Sequence, residues 1–524
     1  MVTDQFARDN LPQAADLPDF IFTLPALRYP PRLNCVTRFL DDHIAHGHGD
    51  APCLIGAAEQ LSYGETLARV NRIANILVSQ FGIAPGMRVL LRAPNTPMLA
   101  ACMLAVIRIG AIAVPTMPML RARELVYPME KAHIALAICD VRLRDDMVAA
   151  CAMVPGPVLY FGTDEFAAML AGASDQFTAA DTAIDDVCLI GFTSGTTGQP
   201  KGAMHFHRDL LAACDAYSAN VLRPEASDRF IGSPPLGFTF GLGGMLLFAL
   251  HAGASTVLLE RAGPDDLLTA IPQYQASICI SAPTAYRAML GKLGLQGLPS
   301  LRKCVSAGET LPKATFDAWF VATGIKLLDG IGSTEMFHIF IGSSEDQARG
   351  GVTGQVVPGY EAQVVDAAGV QVPDGTAGRL AVRGPTGCKY MADPRQKTYV
   401  QNGWNLTGDT YIRDAEGYFS FQARSDDMIV SSGYNIAGPE VEAALLLHEA
   451  VAECAVIGWP DAERGMVVKA FVVLRPGYGE MTAALQDFAK ATIAPYKYPR
   501  AIEYRTELPK TPTGKLQRFL LRQA

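Results

Sequence analysis

Short apolar segments alternate with amphipathic helical segments along most of this chain, beginning at about residue 60. SYGETLARVNRIANILVSQFG repeats its apolar residues at helical spacing, whereas RVLLRAP, AIAVPTMP and VCLIGFT (187–193) are short β-type runs bounded by turn residues. Strands that alternate with helices in this way form sheets covered by helices. The sequence therefore predicts an α/β fold, and ASTVLLE (254–260) and ASICISAP (276–283) continue the pattern.

The length and a change of pattern near residue 424 indicate more than one domain. A chain of 524 residues exceeds the size at which a single hydrophobic core usually stops growing. After the polar stretch at 424–427, PEVEAALLLHE and MTAALQDFAKAT read as helices, and AECAVIGWP and VVKAFVVLR read as strands. We expect a small α/β domain there, with the polar stretch as its linker.

Composition and charge exclude several classes of protein. The net charge of -8 provides no basic field for nucleic acid or an anionic membrane surface. The most apolar stretch, 98–120, contains Arg108 and two prolines, so a buried helix and strand explain it better than a membrane span. The eleven cysteines form no C-x-x-C pair, and the first residues are polar, which favours reduced thiols in a cytoplasmic protein.

The run TSGTTGQPKG (193–202) is the strongest candidate for a binding loop. It follows a β-type run, and its glycine backbone and hydroxyl groups could surround a phosphate. The nucleotide-binding P-loop requires G-x-x-x-x-G-K-[ST] leading into a helix. Here Pro200 precedes Lys201 and Gly202 follows it, so that pattern fails, and a polar surface loop is the plain alternative.

TSGTTGQPKG resembles the phosphate loop of the adenylate-forming acyl- and aryl-CoA synthetase superfamily. DGIGSTE (329–335), the Gly-Asp pair at 408–409, ARSDDMIVSSGYNIAGPEVE (423–442) and PKTPTGKLQR (509–518) resemble its further motifs, in the expected order and across most of the chain. The resemblance implies a large N-terminal adenylation domain (1–424) of sheets, helices and a β-barrel-like subdomain. It also implies a hinge (425–427) and a mobile α+β C-terminal domain (428–524).

The same resemblance implies a two-step reaction that uses ATP, Mg²⁺ and coenzyme A. An acid is first joined to AMP with release of pyrophosphate, and a thiol then takes the acyl group. Lys515 would bridge the carboxylate and the α-phosphate, Thr334 would donate to that phosphate, and Glu335 would bind magnesium. Asp426 matches the hinge about which the small domain rotates, and Gly433 matches the backbone that lines the coenzyme A tunnel.

The remaining nucleotide contacts follow from the same motifs. The phosphate loop would bind ATP phosphates, SAGETLP and DGIG would enclose the adenine, and two polar residues would bind the ribose hydroxyls. The residues so assigned are Thr193, Ser194, Gly195, Thr196, Thr197, Gly198, Lys201, Gly308, Glu309, Asp329, Gly330, Ile331, Asp409 and Arg424.

Two passages look closest to benzoate-CoA and 2-aminobenzoate-CoA ligases: PPLGFTFGLGG (234–244) and STEMFHIF (333–340). Two others look more like 2-aminobenzoate-CoA ligases: LRYPPRLNCVTRF and MPMLRARELVY. An aromatic acid is therefore expected as the substrate. Thr239 or His338 could hydrogen-bond an ortho substituent, which leaves the choice between the two acids open. The expected pocket residues are Phe238, Thr239, Phe240, Ala307, Gly332, His338 and Ile339.

Coenzyme A is the expected acceptor, because no carrier domain follows PKTPTGKLQR in this chain. An adenylation enzyme that loads a separate carrier protein is the close alternative. A luciferase-like oxygenase acting on its own adenylate is an alternative of a different class. A homodimer is compatible with the sequence.

Overall fold

The structure is a computed structural model that describes residues 3–193, 199–293, 297–309, 311–424, 428–509 and 518–522. Residues 88–206 contain one six-stranded sheet, parallel except at the last pair, where Val187–Thr193 and Lys201–Phe206 form a hairpin. In spatial order its strands are Val158–Phe161, Ile134–Asp140, Arg88–Arg92, Ile112–Thr116, Val187–Thr193 and Lys201–Phe206.

A nine-stranded sheet forms the second large layer. Its six central strands are parallel, and antiparallel strands flank them on both edges. In spatial order the strands are Gln355–Val356, Ile339–Gly342, Leu327–Gly332, Lys303–Ala307, Ile278–Ser281, Arg229–Gly232, Ser255–Val257, Pro52–Ile55 and Gln60–Ser62.

Helices cover both sheets, and their ends carry the expected signals. Ser62 and Glu65 form a capping box at the start of the predicted helix, which spans Tyr63–Phe81, and Gly82 ends it with a positive φ. The helices of seven or more residues in residues 3–424 are Tyr63–Phe81, Pro97–Arg108, Ala122–Lys131, Arg144–Met153, Asp164–Gly172, His207–Ala213, Pro264–Tyr274, Pro283–Leu290 and Lys313–Thr323, and π-helical turns span Thr37–Asp41, Cys214–Leu222 and Leu242–Leu247.

A five-stranded antiparallel sheet matches the expected barrel-like subdomain. It contains Glu361–Val365, Ala377–Arg383, Val400–Gln401, Trp404–Arg413 and Phe419–Arg424. The register of its last pair places Asp409 opposite Arg424. These sheets and helices confirm the predicted α/β, multi-domain fold class.

The residues beyond 428 have a hydrophobic core of their own. The hairpin Met428–Ser431/Tyr434–Ala437 and the helices Gly438–Leu445 and Thr482–Thr492 pack on one face of a three-stranded sheet. That sheet contains Val451–Asp461, Gly465–Leu474 and Ala501–Tyr504, and Leu508 and Leu521 pack on its opposite face. The predicted hinge at 425–427 lies outside the described residues.

The apolar stretch 98–120 forms the buried helix Pro97–Arg108 and the strand Ile112–Thr116, as the sequence predicts. Among the described residues, no helix is both long enough and apolar enough to cross a membrane.

Candidate functional site

A cavity of about 1390 Å³ lies between the ends of the two large sheets and the C-terminal residues. Thr193, Ala307 and Gly332 are the last residues of their strands, and all three line this cavity. Gly433 and Tyr496 line it from the C-terminal side. Strand ends are where α/β sheets usually bind ligands, because loops there bring side chains from several strands together.

All seven residues predicted for the acid pocket line this one cavity. Two glycines on the facing π-helical turn make room for the ring of His338. A methyl group on Gly243 would lie 2.5 Å from Cδ2 of that ring, and one on Gly244 would lie 3.4 Å from its Nε2. Gly243 therefore has a steric reason: a larger residue there would displace the histidine.

His338 is a buried, neutral histidine with one unused hydrogen-bonding atom. Its Nε2 lies 3.3 Å from the carbonyl oxygen of Phe240, and its ring packs 4.4 Å from the ring of Phe248. Burial lowers the pKa of His338 to about 3. If Nε2–H donates to Phe240, then Nδ1 is an acceptor, and Nδ1 has no hydrogen-bond partner among the described residues.

Tyr217 packs against His338 from outside the cavity lining, and no sequence motif predicts this contact. Its ring centroid lies 5.9 Å from that of His338, and its hydroxyl group has no hydrogen-bond partner in the described part of the chain. Burial raises the pKa of this tyrosine. Tyr217 belongs to the π-helical stretch Cys214–Leu222, outside every recognised motif, so only the three-dimensional contact identifies it.

A polar, largely buried cluster lies where the predicted phosphate loop rejoins its sheet. It contains Lys201, Glu335 and Tyr390. Lys201 Nζ lies 3.4 Å from Glu335 Oε1 and 4.8 Å from the centre of the Tyr390 ring, and the Tyr390 hydroxyl donates to Glu335. Burial opposes ionisation of Glu335, but the charge of Lys201 and the tyrosine hydrogen bond outweigh it and lower the pKa of Glu335. Glu335 is thus held as a carboxylate.

Thr334 stands between this cluster and the acid pocket. It lines the cavity, and the strand that leads to the phosphate loop packs against it, because Gly191 has no side chain. A methyl group on Gly191 would lie 2.9 Å from Cγ2 of Thr334. The structure therefore brings the end of TSGTTGQPKG and the STE segment to one place.

The residues predicted to bind adenosine lie in two parts of the structure: near the cavity, and at one end of the barrel-like sheet. Gly308 lines the cavity, Glu309 and Ile331 lie next to lining residues along the chain, and Gly330 is one residue further from the cavity in the same strand. Asp329 is buried, and burial raises its pKa well above the usual range. Asp409 is also largely buried, at the paired end of the barrel-like sheet, opposite Arg424.

The chain matches the AMP-binding enzymes over residues 41–390 and their C-terminal domain over residues 440–515. The chain belongs to the AMP-binding enzyme family. It is 36% identical to the benzoate–CoA ligase of Thauera aromatica over 516 residues, which cover 96% of this chain and 98% of that protein. It is 31% identical to the 3-hydroxybenzoate–CoA ligase of Aromatoleum sp. (strain CIB), over 94% of this chain and 97% of that one.

A solved structure with the same overall fold is the anthranilate CoA ligase in complex with anthranoyl-AMP. It is 34% identical, covers 95% of this chain and 98% of its own, and has a TM-score of 0.75. The family match and these relatives identify this AMP-binding enzyme as an AMP-forming acid–thiol ligase.

Several predicted residues of this AMP-binding enzyme lie outside the described residues. These are Ser194, Gly195, Thr196, Thr197, Gly198, Asp426 and Lys515. Gly433 is described: it has a φ of +81° and lies against Ala282 and Glu309. A methyl group on it would lie 3.2 Å from Cβ of Ala282 and 3.5 Å from Oε1 of Glu309.

Proposed function

We propose that this AMP-binding enzyme is an ATP-dependent aryl-CoA ligase whose preferred acid is 2-aminobenzoate. One observation carries the proposal: the seven residues expected around an aromatic ring, Thr334 and the end of the phosphate-loop strand line the same cavity. A carboxylate held in that pocket would therefore face the α-phosphate of a nucleotide on the STE side. The relatives that act on benzoate, 3-hydroxybenzoate and anthranilate support this reading.

The unused acceptor of His338 favours an amino group on the substrate. An ortho amino group donates hydrogen bonds, and Nδ1 of a neutral imidazole accepts them. Benzoate offers no donor at this position, so Nδ1 stays without a partner, as it is in the protein without ligand. A hydrogen bond added by an amino group contributes about 0.5–1.5 kcal/mol, which corresponds to a preference of up to about tenfold for 2-aminobenzoate.

The chemistry of adenylate formation requires positive charge near two approaching anions. Lys201 supplies one fixed cation beside Glu335, and Thr334 supplies a hydroxyl donor in the cavity. Glu335 is an ionised oxygen donor of the kind Mg²⁺ prefers, and it is the residue that would hold the ion; bound magnesium would offset the charge of the departing pyrophosphate. Lys515 is proposed as the cation between carboxylate and α-phosphate, on the strength of its PTGK motif.

Cationic side chains on the cavity wall favour coenzyme A as the acceptor. Arg287 and Arg464 both line the cavity. The Nη2 of Arg287 is buried and has no hydrogen-bond partner among the described residues. Guanidinium groups bind phosphate well, and coenzyme A carries phosphates beyond its pantetheine arm.

A substrate panel tests the proposal. AMP release is measured with coenzyme A and benzoate, 2-aminobenzoate, hydroxybenzoates, hexanoate or octanoate, and the acyl-CoA product is identified. We expect kcat/KM for 2-aminobenzoate to exceed that for benzoate by up to about tenfold. In His338→Leu the ratio should fall towards one, because the leucine offers no acceptor, while benzoate remains a substrate.

Other outcomes would lead to different assignments. Preference for the straight-chain acids would contradict an aryl pocket. A thioester formed only on a phosphopantetheinylated carrier protein would identify a carrier-loading enzyme. Oxygen uptake or light emission would identify an oxygenase.

A further inference from the structure

Three charged side chains lie buried together where the C-terminal domain meets the N-terminal domain. Lys497 Nζ lies 2.8 Å from Glu124 Oε1 and 2.6 Å from Glu440 Oε1. Their side chains are only 7%, 9% and 18% exposed, respectively. Glu124 belongs to the helix Ala122–Lys131 of the N-terminal domain, whereas the other two belong to the C-terminal domain. The Glu124–Lys497 pair therefore joins the two domains.

Each partner is held in place by its own domain. The second carboxylate oxygen of Glu124 accepts a hydrogen bond of 2.9 Å from the backbone N–H of Arg121, at the start of its helix. Lys497 keeps Glu440 as a partner within the C-terminal domain. Burial would lower the pKa of Lys497, but Tyr496, Glu440 and Glu124 together raise it, so the ammonium stays charged.

The ion pair is also connected to the predicted coenzyme A tunnel. Tyr496, next to Lys497, stacks on Tyr434 with ring centroids 4.3 Å apart. Tyr434 follows Gly433, the glycine that packs against Ala282 and Glu309 of the N-terminal domain. Lys497, Tyr496, Tyr434 and Gly433 all line the cavity, so the charged contact and the tunnel glycine occupy one continuous surface.

We propose that Glu124 and Lys497 are positioning residues for the second half-reaction. Their ion pair holds the C-terminal domain in the orientation that places Gly433 at the site where the thiol attacks the acyl-adenylate. The pair forms only when the two domains face each other as they do here, because its partners belong to different domains. Adenylate formation, which the family performs in another orientation, does not use it. This inference rests on the proposed function.

The proposal is tested by measuring the two half-reactions separately on the full-length enzyme. Adenylate formation is followed as acid-dependent exchange of pyrophosphate into ATP, without coenzyme A. Thioester formation is followed in a single turnover, from preformed 2-aminobenzoyl-AMP and coenzyme A. In Glu124→Gln we expect the first rate to stay within about twofold and the second to fall about tenfold, because a buried, desolvated charge pair is lost.

Further variants separate positioning from general damage. Glu130→Gln, at the exposed end of the same helix, should leave both rates within about twofold of the wild type. The double variant Glu124→Gln/Lys497→Gln should lose less thioester rate than Glu124→Gln and Lys497→Gln combined, measured as activation free energy, because the same pair can be broken only once.

Two results would overturn the proposal: an unchanged thioester rate in Glu124→Gln, or an equal loss in both half-reactions. Losses that simply add in the double variant would also contradict it. Failure of the proposed function can be distinguished from failure of the ion-pair proposal. If the proposed function is wrong, the wild-type enzyme will catalyse no pyrophosphate exchange with aromatic acids.

Discussion

Glu309 is a carboxylic acid whose surroundings disfavour its charge. Burial raises its pKa to about 7, and the hydrogen bond from Thr284, 3.2 Å long, only partly offsets this. The folded protein therefore prefers the protonated acid. For an acid with a raised pKa, the cost to stability is absent below the unfolded pKa and reaches its full size above the folded one.

We therefore expect Glu309→Gln to stabilise the protein at pH 8 but not at pH 4.5. Glutamine keeps an oxygen that can accept from Thr284 and carries no charge to bury. The gain at pH 8 should be on the order of 1–3 kcal/mol, growing between pH 4.5 and pH 7. Thermal unfolding of both proteins across this pH range measures it. A difference in Tm that does not change with pH would contradict the raised pKa.

At this scale, the residues that the sequence predicts for an acid pocket line one cavity, but the sequence did not predict their surroundings. Phe240, His338 and Ile339 stand in two recognisable passages, and the structure places them around one cavity. Tyr217 and Tyr390 carry no motif, and they reach His338 and Glu335 across 121 and 55 positions of the chain. Contacts of that kind depend on how the sheets pack, which local patterns do not encode.

At the scale of elements, one short segment connects the barrel-like sheet to the phosphate side of the site. Residues 389–391 run beside the strand Lys201–Phe206, with backbone hydrogen bonds of 2.8 Å from Met204 to Lys389 and from Met391 to Gly202. This pairing brings Tyr390 to Glu335. Lys389 anchors the segment through Asp209, 2.8 Å away, and both side chains are fully buried.

We expect Asp209→Asn to destabilise the protein by about 3–5 kcal/mol, because it leaves the ammonium of Lys389 buried without a countercharge. The matched control is Asp317→Asn, which removes an equally short but exposed pair with Lys313 (2.6 Å). That change should cost less than about 1 kcal/mol. Unfolding in urea measures both. Similar losses in the two variants would show that burial of the Lys389–Asp209 pair does not matter.

Regular elements were predicted better than irregular ones. Apolar residues at helical spacing and the Ser62–Glu65 cap predict the helix Tyr63–Phe81. A continuous apolar run predicts the strand Val187–Thr193. The π-helical turns at Cys214–Leu222 and Leu242–Leu247 have no such signal. Their extra residue per turn changes which side chains face the pocket without changing the apolar composition.

At the scale of the whole molecule, the burial of the cysteine side chains shows how tightly the chain is packed. All eleven cysteines are free, ten are buried, and only Cys151 is partly exposed.

Cys35 is the informative case: burial favours its neutral form, but Cys188 and His207 outweigh this and lower its pKa to about 6. His207 Nδ1 lies 3.2 Å from its sulfur. A thiol with a lowered pKa reacts more readily once a reagent can reach it.

We expect a chromogenic disulfide reagent at pH 7.5 to label about one thiol of the native protein rapidly, and all eleven after denaturation. Cys151→Ser should remove the rapid phase. The remaining thiols should react slowly and together, at a rate set by opening of the fold, because burial prevents direct attack. ATP and the proposed substrate 2-aminobenzoate should slow this phase further, since ligands that bind only the folded protein reduce the open population. Rapid labelling of three or more thiols in the native enzyme would contradict the packing described here.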